Sequence, residues 1–325
     1  MCAAPTSEPF ATAGSRIAVL ARYGEARRRL IRGAAPYLLI GPSLVVIAAV
    51  MAYPLATLLA LSLQRYGLRE LLAHQGSWVG FANYTAIFTD SLFWQVAARS
   101  VAFTAVTVGL SMVLGTLLAL LLERVSLVVR LLLSGGLVFV WATPVVVAID
   151  VWQWMFDYEF GVANWVLTRI HVGNFTHHNW FENPVQGLAI IVALVVWGAL
   201  PLLTITLYAG LAQVPRELVE AAEVDGADSW RVFWNVTTPI LKPIFLILFS
   251  LSTIWDFQVF NQVWIMLNQR PSNDYFLVGI YSFVESFKVT QYGRGAAIAA
   301  VMVLLLMVFT FFYVRELVRS GEVTR

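Results

Sequence analysis

The sequence contains few charged residues and almost no cysteine. Of its 325 residues only 12% are charged and 59% are hydrophobic, whereas an ordinary soluble domain has about 25% charged residues. Because Cys2 is the single cysteine, an internal disulfide and a cysteine-based zinc site are excluded. The formal net charge of +2 gives no reason to expect a nucleic-acid partner. The core of a soluble chain of this length could not bury so much apolar surface, so we expect a membrane protein whose apolar surface contacts the lipid bilayer.

Three sequence signatures of enzymes are absent as well. The chain has no Gly-x-x-x-x-Gly-Lys phosphate loop, so we do not expect it to bind a nucleotide. It has neither His-Glu-x-x-His nor Gly-x-Ser-x-Gly, which leaves an intramembrane hydrolase unsupported. The adjacent His177 and His178 have no carboxylate or thiol at a ligand spacing, and we expect both to face solvent. We assign no enzymatic activity, no metal and no cofactor to the chain.

Long uncharged apolar runs are abundant. Each has or approaches the roughly 20 residues that cross a bilayer as a helix. The six runs cover residues 34–63, 100–122, 131–149, 187–212, 243–266 and 296–314. Pro54 and Pro201 lie within runs, which neighbouring helices in a membrane can tolerate. The sequence therefore predicts an all-α membrane protein with six transmembrane helices in a domain that covers residues 34–320.

The distribution of Lys and Arg predicts the orientation. If the N-terminus is inside, the inner segments contain 14 of these residues and the outer segments 7. The positive-inside rule then favours both termini in the cytoplasm. Residues 16–33 alternate apolar residues with Arg. Residues 1–33 therefore form a basic tail, which either contains a short helix on the inner membrane surface or acts only as a topology signal.

The inner segment 213–243, between the fourth and fifth runs, has the pattern of two short helices joined by a turn. Glu220 lies near the positive N-terminal end of the first helix, where a carboxylate is favoured. Ala221 and Ala222 keep one side of that helix thin, so that another surface can approach closely. Gly226 supplies the C-terminal stop.

The second short helix begins at Asp228 or Ser229, either of which can cap it. One side of this helix is apolar, with Trp230, Phe233 and Val236. Pro239 and Pro243 then open the fifth transmembrane run.

This inner segment resembles the EAA loop of ABC importer permeases, in which Glu-Ala-Ala is followed by Gly and later by an apolar residue and Pro. The matching residues are Glu220, Ala221, Ala222, Asp225, Gly226, Ala227, Val236 and Pro239. Thr238 departs from the pattern, because a Leu usually precedes the Pro. The rest of residues 33–320 is more loosely similar to the first permease of carbohydrate importers, a group that includes the maltose permeases. Four stretches carry this wider similarity: the Pro- and Gly-containing opening at 35–54, and residues 80–84, 255–261 and 292–297.

The resemblance implies a type I ABC importer permease in the inner membrane of a bacterium. Such a permease works with a second homologous permease, two copies of a cytoplasmic ABC ATPase and an extracytoplasmic sugar-binding protein. ATP and Mg would be used by the partner ATPase. The first helix of the loop would dock in a cleft of that ATPase and transmit its closure to the transmembrane helices, which alternate between inward-open and outward-open states.

The fifth run contains a candidate substrate path. If residues 243–266 form one helix that continues to residue 268, several polar and aromatic side chains fall on one face. They are Thr253, Asp256, Phe257, Phe260, Asn261, Trp264 and Asn268. Such a face offers ring surfaces for sugar CH groups and hydrogen bonds for hydroxyls, and an ionised group inside a membrane faces a cavity or a partner by default. The alternative is an interfacial aromatic belt in which Asp256 pairs with an Arg of the second permease.

A second candidate lies at the outer end of the third run, where the belt interpretation is stronger. Its members are Asp150, Trp152, Trp154, Asp157 and Tyr158. No Arg lies in the middle of a predicted transmembrane helix, so a neutral di- or oligosaccharide is favoured over a glycerol-phosphate-type solute. An ion-coupled secondary transporter and a scaffold without transport remain as alternatives. The inner loop argues against the secondary transporter, because an ion-coupled carrier would not need such a loop.

Overall fold

The computed structural model describes residues 39–322, which are largely helical. The chain divides into two compact units, residues 1–58 and residues 59–325. The predicted basic tail lies outside the described residues. Helix α1 (Leu39–Ser62) begins in the first unit. It contains a π turn at Ala48–Ala52, directly before Pro54, whose missing N–H interrupts the regular helical hydrogen bonds.

The second unit is built from twelve further described helices and a short hairpin of two strands. The helices are α2 (Leu68–Ala73), α3 (Ala82–Phe88), α4 (Ser91–Arg124), α5 (Leu127–Ala142), α6 (Val145–Met155), α7 (Val162–Arg169), α8 (Pro184–Leu211), α9 (Arg216–Val224), α10 (Ser229–Phe257), α11 (Asn261–Met266), α12 (Val278–Phe283) and α13 (Tyr292–Glu322). The antiparallel strands β1 (Gln64–Arg65) and β2 (Ser77–Trp78) pair Gln64 with Trp78.

Within residues 39–322, five helices are long and apolar enough to cross a membrane: α1, α4, α8, α10 and α13. The bent pair of α5 and α6 raises the number to six if it is counted as one transmembrane segment. The all-α fold with six transmembrane segments is thereby confirmed. The bundle formed by the second unit has two ends. The loop end carries α9 and the turn between α4 and α5, and the far end carries the start of α13 and the end of α10.

The third transmembrane segment differs from the continuous helix expected over 131–149. It bends by 102° between α5 and α6. Pro144 occupies the bend, and Thr143 before it is extended, with φ −71° and ψ 123°. A proline disfavours the helical conformation of the preceding residue and cannot donate a backbone hydrogen bond. The Thr143 hydroxyl donates to the carbonyl oxygen of Phe139 at 2.9 Å, so one of the carbonyls freed at the break has a partner.

The centre of the bundle is formed by α4, α8 and α10, which pack against one another. At Gly115 of α4 an added Cβ would lie 2.8 Å from the Cβ of Leu203 on α8. The two helices therefore approach closely because this position has no side chain. Pro201 lies within α8 without ending it, as the sequence analysis allowed.

Residues 258–291 form a cap over the far end of the bundle and are held there by side chains of α4. The Arg99 guanidinium donates to the carbonyl oxygens of Asn273 at 2.8 Å and Phe276 at 3.1 Å. The backbone N–H of Val278 donates to the Ser100 hydroxyl oxygen at 2.9 Å. We call this segment the far-end cap. Its irregular backbone has fixed partners, as polar backbone groups near a membrane require.

The stretch 80–84, which contributed to the wider resemblance, has a structural role. The amide nitrogen of Asn83 donates to the carbonyl oxygens of Ser62 at 2.8 Å and Gln64 at 2.9 Å. The Tyr84 and Ser62 hydroxyls are 2.8 Å apart. This stretch therefore fixes the backbone where α1 ends and the hairpin begins.

Candidate coupling loop and substrate path

The turn that follows α9 is a complete Schellman motif. The N–H of Gly226 donates to the carbonyl oxygen of Glu223 at 3.0 Å, and the N–H of Ala227 donates to that of Ala222 at 2.9 Å. Gly226 has a φ of +84°, in the left-handed region, as expected of the residue that ends such a helix. Asp225 is the residue between the helix and this glycine. The predicted stop at Gly226 is confirmed.

The residues of the EAA pattern divide into two groups by their exposure. Ala222 and Ala227 are half-buried beside the turn, where the Schellman motif brings them together. Glu220 and Ala221 are exposed. The first group shapes the turn, whereas the second faces outward and is free for contact with another molecule.

The exposed side of α9 carries apolar residues as well as acids. Leu218 is 50% exposed and Val224 is 87% exposed. Glu217 and Glu223 are exposed too. Apolar side chains clustered on a solvent-facing helix among charges are typical of an interaction surface.

The segment after the turn differs from the separate short helix that was expected. Asp228 caps it, because its carboxylate accepts from the N–H of Arg231 at 3.0 Å. The helix then runs without a break into the fifth transmembrane segment through a π turn at Phe233–Thr237. The N–H of Thr238 donates to the carbonyl oxygen of Phe233, five residues back, and Pro239 has no N–H to donate. The prolines thus reshape one helix instead of separating two.

A cleft of 1480 Å³ lies at the loop end, beneath α9. The ends of α4 and α8 and the start of α10 line it together with Glu220 and Glu223. Arg130 stabilises its wall: the guanidinium donates to the carbonyl oxygen of Leu122 at 2.8 Å and lies 5.5 Å from the centre of the Tyr208 ring. The turn between α4 and α5 is therefore tied to α8 directly beside the loop.

The predicted substrate path does not lie on one helix face. Helix α10 ends at Phe257, and α11 begins at Asn261. The expectation of a continuous helix through residue 266 is therefore wrong, and so is the argument from helical periodicity. The break contains neither Gly nor Pro. It coincides with the start of the far-end cap, whose contacts with α4 and α8 determine where the chain turns.

The path residues nevertheless lie on consecutive elements at the far end. Asp256 and Phe257 are buried, and one carboxylate oxygen of Asp256 has no hydrogen-bond partner among the described residues. Phe260 and Trp264 are half-buried and stack with ring centres 5.5 Å apart. Asn261 is exposed. A buried acid without a partner, next to a pair of stacked rings, is suited to binding a polyhydroxylated ligand or a group from another subunit.

Two members of the second candidate group, Asp157 and Trp152, are engaged in structural contacts, whereas Asp150, Trp154 and Tyr158 are exposed. The carboxylate of Asp157 accepts from the backbone N–H groups of Glu159 and Phe160, both at 2.9 Å, and these hydrogen bonds lower its pKa. The ring of Trp152 packs against that of Trp197. His178, expected to face solvent, is half-buried with its ring centre 4.7 Å from that of Trp180. Within residues 39–322 no group of three His, Cys, Asp or Glu side chains could hold a metal ion.

Sequence reasoning missed an ion-pair cluster at the far end. Arg294 donates to a carboxylate oxygen of Asp90 at 2.5 Å and to the Tyr281 hydroxyl at 3.0 Å. That hydroxyl donates to Asp90 at 3.1 Å, and Glu285 lies 3.6 Å from Arg294. The Asp90 carboxylate also accepts from the N–H of Leu92 and so caps α4. The sequence position before α4 could have identified the cap, but the pairing spans 204 residues.

The cluster shifts the pKa values of its members in opposite directions. Burial tends to raise the pKa of Asp90, but the hydrogen bonds from Leu92, Tyr281 and Arg294 outweigh it, and the pKa lies below its ordinary value. Desolvation raises the pKa of Glu285, and the charge of Arg294 offsets this only in part. Desolvation also raises the pKa of Tyr281 to about 12. Arg294 is therefore well paired with Asp90 and poorly paired with Glu285.

A family model described as the inner membrane component of binding-protein-dependent transport systems matches residues 111–320. The chain belongs to this family. It is therefore a membrane component of a transport system that depends on a binding protein, and the family is one of transport proteins.

Individual relatives match most of the chain. It is 38% identical to the diacetylchitobiose uptake system permease of Streptomyces coelicolor, over 89% of this chain and 88% of that protein. It is 30% identical to the trehalose/maltose transport system permease of Thermococcus litoralis, over 86% and 92% respectively. A chain from the crystal structure of a bacterial ABC transporter that imports the polysaccharide alginate has the same fold, with a TM-score of 0.74 and 18% identity over 91% of this chain and 99% of that chain. The predicted ABC importer permease fold is confirmed.

Proposed function

We propose that this permease forms half of the translocation path of an ATP-driven sugar importer. It pairs with a second homologous permease, two copies of a cytoplasmic ABC ATPase and an extracytoplasmic sugar-binding protein. The exposed loop helix α9 carries this proposal, because its apolar residues and acids have the character of a docking surface at a position where the family's EAA pattern occurs. Glu220 and Ala221 form the side of α9 that contacts the ATPase. Ala222, Gly226 and Ala227 fix the turn by which the chain leaves α9.

The loop end faces the cytoplasm in this proposal, and both termini lie on that side. The excess of Lys and Arg in the segments at this end supports the orientation. The chain lacks a phosphate loop, so ATP and Mg are bound by the partner ATPase and no cofactor is held by this chain. Closure of the ATPase then moves α9, and α10 carries the motion to the far end.

The proposed substrate is a neutral di- or oligosaccharide. Two relatives named above are permeases for diacetylchitobiose and for trehalose or maltose. The path contains the stacked rings of Phe260 and Trp264 beside Asp256 and Phe257, with Asn261 at its exposed edge. Ring faces and hydrogen-bonding groups together are what recognition of a sugar requires.

The test is purification of the intact complex followed by reconstitution into liposomes. We expect an ATPase and a second permease to co-purify. ATP together with the cognate binding protein should drive uptake of one of diacetylchitobiose, trehalose or maltose, with glycerol 3-phosphate as the comparison solute. Uptake driven by an ion gradient without the ATPase would overturn the proposal. ATP-driven uptake of glycerol 3-phosphate alone would overturn its sugar component.

A further inference from the structure

Six aromatic rings form a continuous ridge at the far end of the bundle. Starting from the hairpin, consecutive ring centres are 6.3, 6.0, 5.0, 4.9 and 5.5 Å apart. The rings are those of Tyr66, Tyr292, Phe287, Phe283, Trp264 and Phe260. They come from four separate stretches of the chain, at residue 66, 260–264, 283–287 and 292, so the ridge is produced by the tertiary fold and not by the periodicity of one helix. We call it the aromatic ridge.

Phe287 is the exposed ring of the ridge, and the other five rings are half-buried. Phe287 lies in the middle of the ridge and is 62% exposed, whereas Trp264 and Phe260 at its end are among the half-buried rings. Phe257 and Asp256 beyond them are buried. Rings that served only as packing would have their most central member covered. The ridge instead presents the open ring face of Phe287, and its last ring, that of Phe260, lies four residues after the buried Asp256 in the chain.

Lys288 supplies hydrogen-bond donors beside the rings. Its ammonium nitrogen lies 4.6 Å from the centre of the Trp264 ring and donates to the carbonyl oxygen of Gln269 at 2.8 Å. An ammonium group has three donors, of which this carbonyl uses one. Because a charged ammonium group is costly in the hydrocarbon core, we expect the exposed Lys288 to lie outside that core. Ring faces with an adjacent donor can bind the CH faces and hydroxyls of a pyranose.

We propose that the aromatic ridge is a sugar-binding surface on the extracytoplasmic side, which receives a substrate of at least two pyranose rings before it reaches Phe260 and Asp256. The proposal rests on the sugar importer function and adds a site to it. Phe287 contacts the incoming sugar, and Lys288 donates hydrogen bonds to it. The length of the ridge exceeds what a single pyranose would cover, so it favours a substrate with several rings.

The experiment compares Phe287→Leu with Phe311→Leu in the complete reconstituted importer. Leu keeps an apolar side chain but removes the ring face, and Phe311 is a matched control because it is 64% exposed on α13 at the other end of the bundle. Initial uptake rates are measured for diacetylchitobiose, trehalose and maltose, together with ATPase co-purification. Loss of an aromatic contact should raise the KM for the transported sugar about three- to tenfold. The kcat of Phe287→Leu, its co-purified ATPase and both parameters of Phe311→Leu should match the wild type.

A labelling measurement covers the case in which Phe287→Leu assembles poorly. In a Cys2→Ser background, Phe287→Cys is labelled with a membrane-impermeant maleimide, and Glu182→Cys, exposed at the far end, is the control. Sugar-loaded binding protein should slow the labelling of Cys at 287 more than sugar-free binding protein does. Equal protection by the two forms, or an unchanged KM in Phe287→Leu, overturns the ridge proposal. Failure of the wild type to transport any of the three sugars overturns the sugar importer proposal, and with it this one.

Discussion

Replacement of Gly226 by Val tests the coupling loop directly. The residue has a φ of +84°, and a Cβ added to it would meet nothing within 4 Å. A steric clash is therefore excluded, and the substitution acts through the backbone alone. A β-branched residue in the left-handed region costs about 1–2 kcal/mol. The population of the native turn should then fall about five- to thirtyfold relative to the altered ones.

The turn carries the Schellman hydrogen bonds, so its loss would reorient the exposed α9 without affecting the far end. We expect Gly226→Val to reduce the number of sugar molecules transported per ATP hydrolysed, or to release the ATPase, while the KM for sugar stays unchanged. The assay is simultaneous measurement of uptake and phosphate release in proteoliposomes. Gly226→Asn should be milder, because Asn tolerates the left-handed region.

Gly136→Val is the matched control. Gly136 lies within α5, has no positive φ and also has open space around its Cα. If Gly226→Val, inserted at normal levels, transported and hydrolysed ATP like the wild type, the turn would not be the coupling element. Equal losses of transport in Gly226→Val and Gly136→Val would show that the Val side chain causes the effect, and would refute the argument from the positive φ of Gly226.

Four further predictions concern charged groups. Glu220→Lys should reduce ATPase co-purification in a salt-dependent manner, because it places a positive charge on the exposed side of α9. The control is Glu182→Lys, at an exposed position of the far end. Equal co-purification of the ATPase with the two variants would contradict the docking surface. Asp256→Ala should lower sugar uptake about tenfold or more without loss of assembly, since a hydrogen bond to a charged group contributes about 1.5–3 kcal/mol; normal uptake would move the path elsewhere. The pKa of Glu285 is raised in the fold, so its ionisation destabilises the folded protein as the pH rises above the ordinary pKa of Glu. Glu285→Gln should therefore have a higher melting temperature than the wild type at pH 7 and the same melting temperature at pH 4. Asp90→Asn should lower the melting temperature at pH 7, because the pKa of Asp90 is lowered in the fold. A shift of the melting temperature in the same direction for both variants would refute the opposite roles assigned to Glu285 and Asp90.

The coupling loop could be predicted because its structure depends on local chemistry. A glycine that must adopt a positive φ, an Asp that caps the next helix and two prolines are all visible in about 30 residues. The bend of the third transmembrane segment was also visible in principle. Pro144 lies inside the apolar run 131–149, but a count of uncharged residues does not distinguish a straight helix from a bent one.

The break after Phe257 could not be predicted in this way. Residues 258–266 are uncharged and contain no Gly or Pro, so their sequence is compatible with a continuing helix. What ends the helix is the packing of the far-end cap, in which Arg99 and Tyr275 bind backbone carbonyls far away in sequence. The aromatic ridge and the pairing of Asp90 with Arg294 are hidden for the same reason, since their members become neighbours only in the folded bundle.

Helix α10 connects the two sites without an intervening loop. It begins three residues after Gly226 and ends one residue after Asp256, so a single element of 29 residues, about 43 Å long, extends from the coupling turn to the substrate path. A displacement of α9 is then transmitted to Asp256 as a movement of one rod, provided that the π turn at Phe233–Thr237 does not absorb it. The π turn already departs from regular α-helical hydrogen bonding, and Pro239 after it has no N–H to donate. This turn is therefore the most deformable part of α10. The Trp234 ring contacts the rings of Trp230, which precedes the turn, and of Phe233, so these contacts lie at the start of the turn. If α9 docks on the ATPase as proposed, the transmission of its movement to Asp256 depends on the rigidity of this turn.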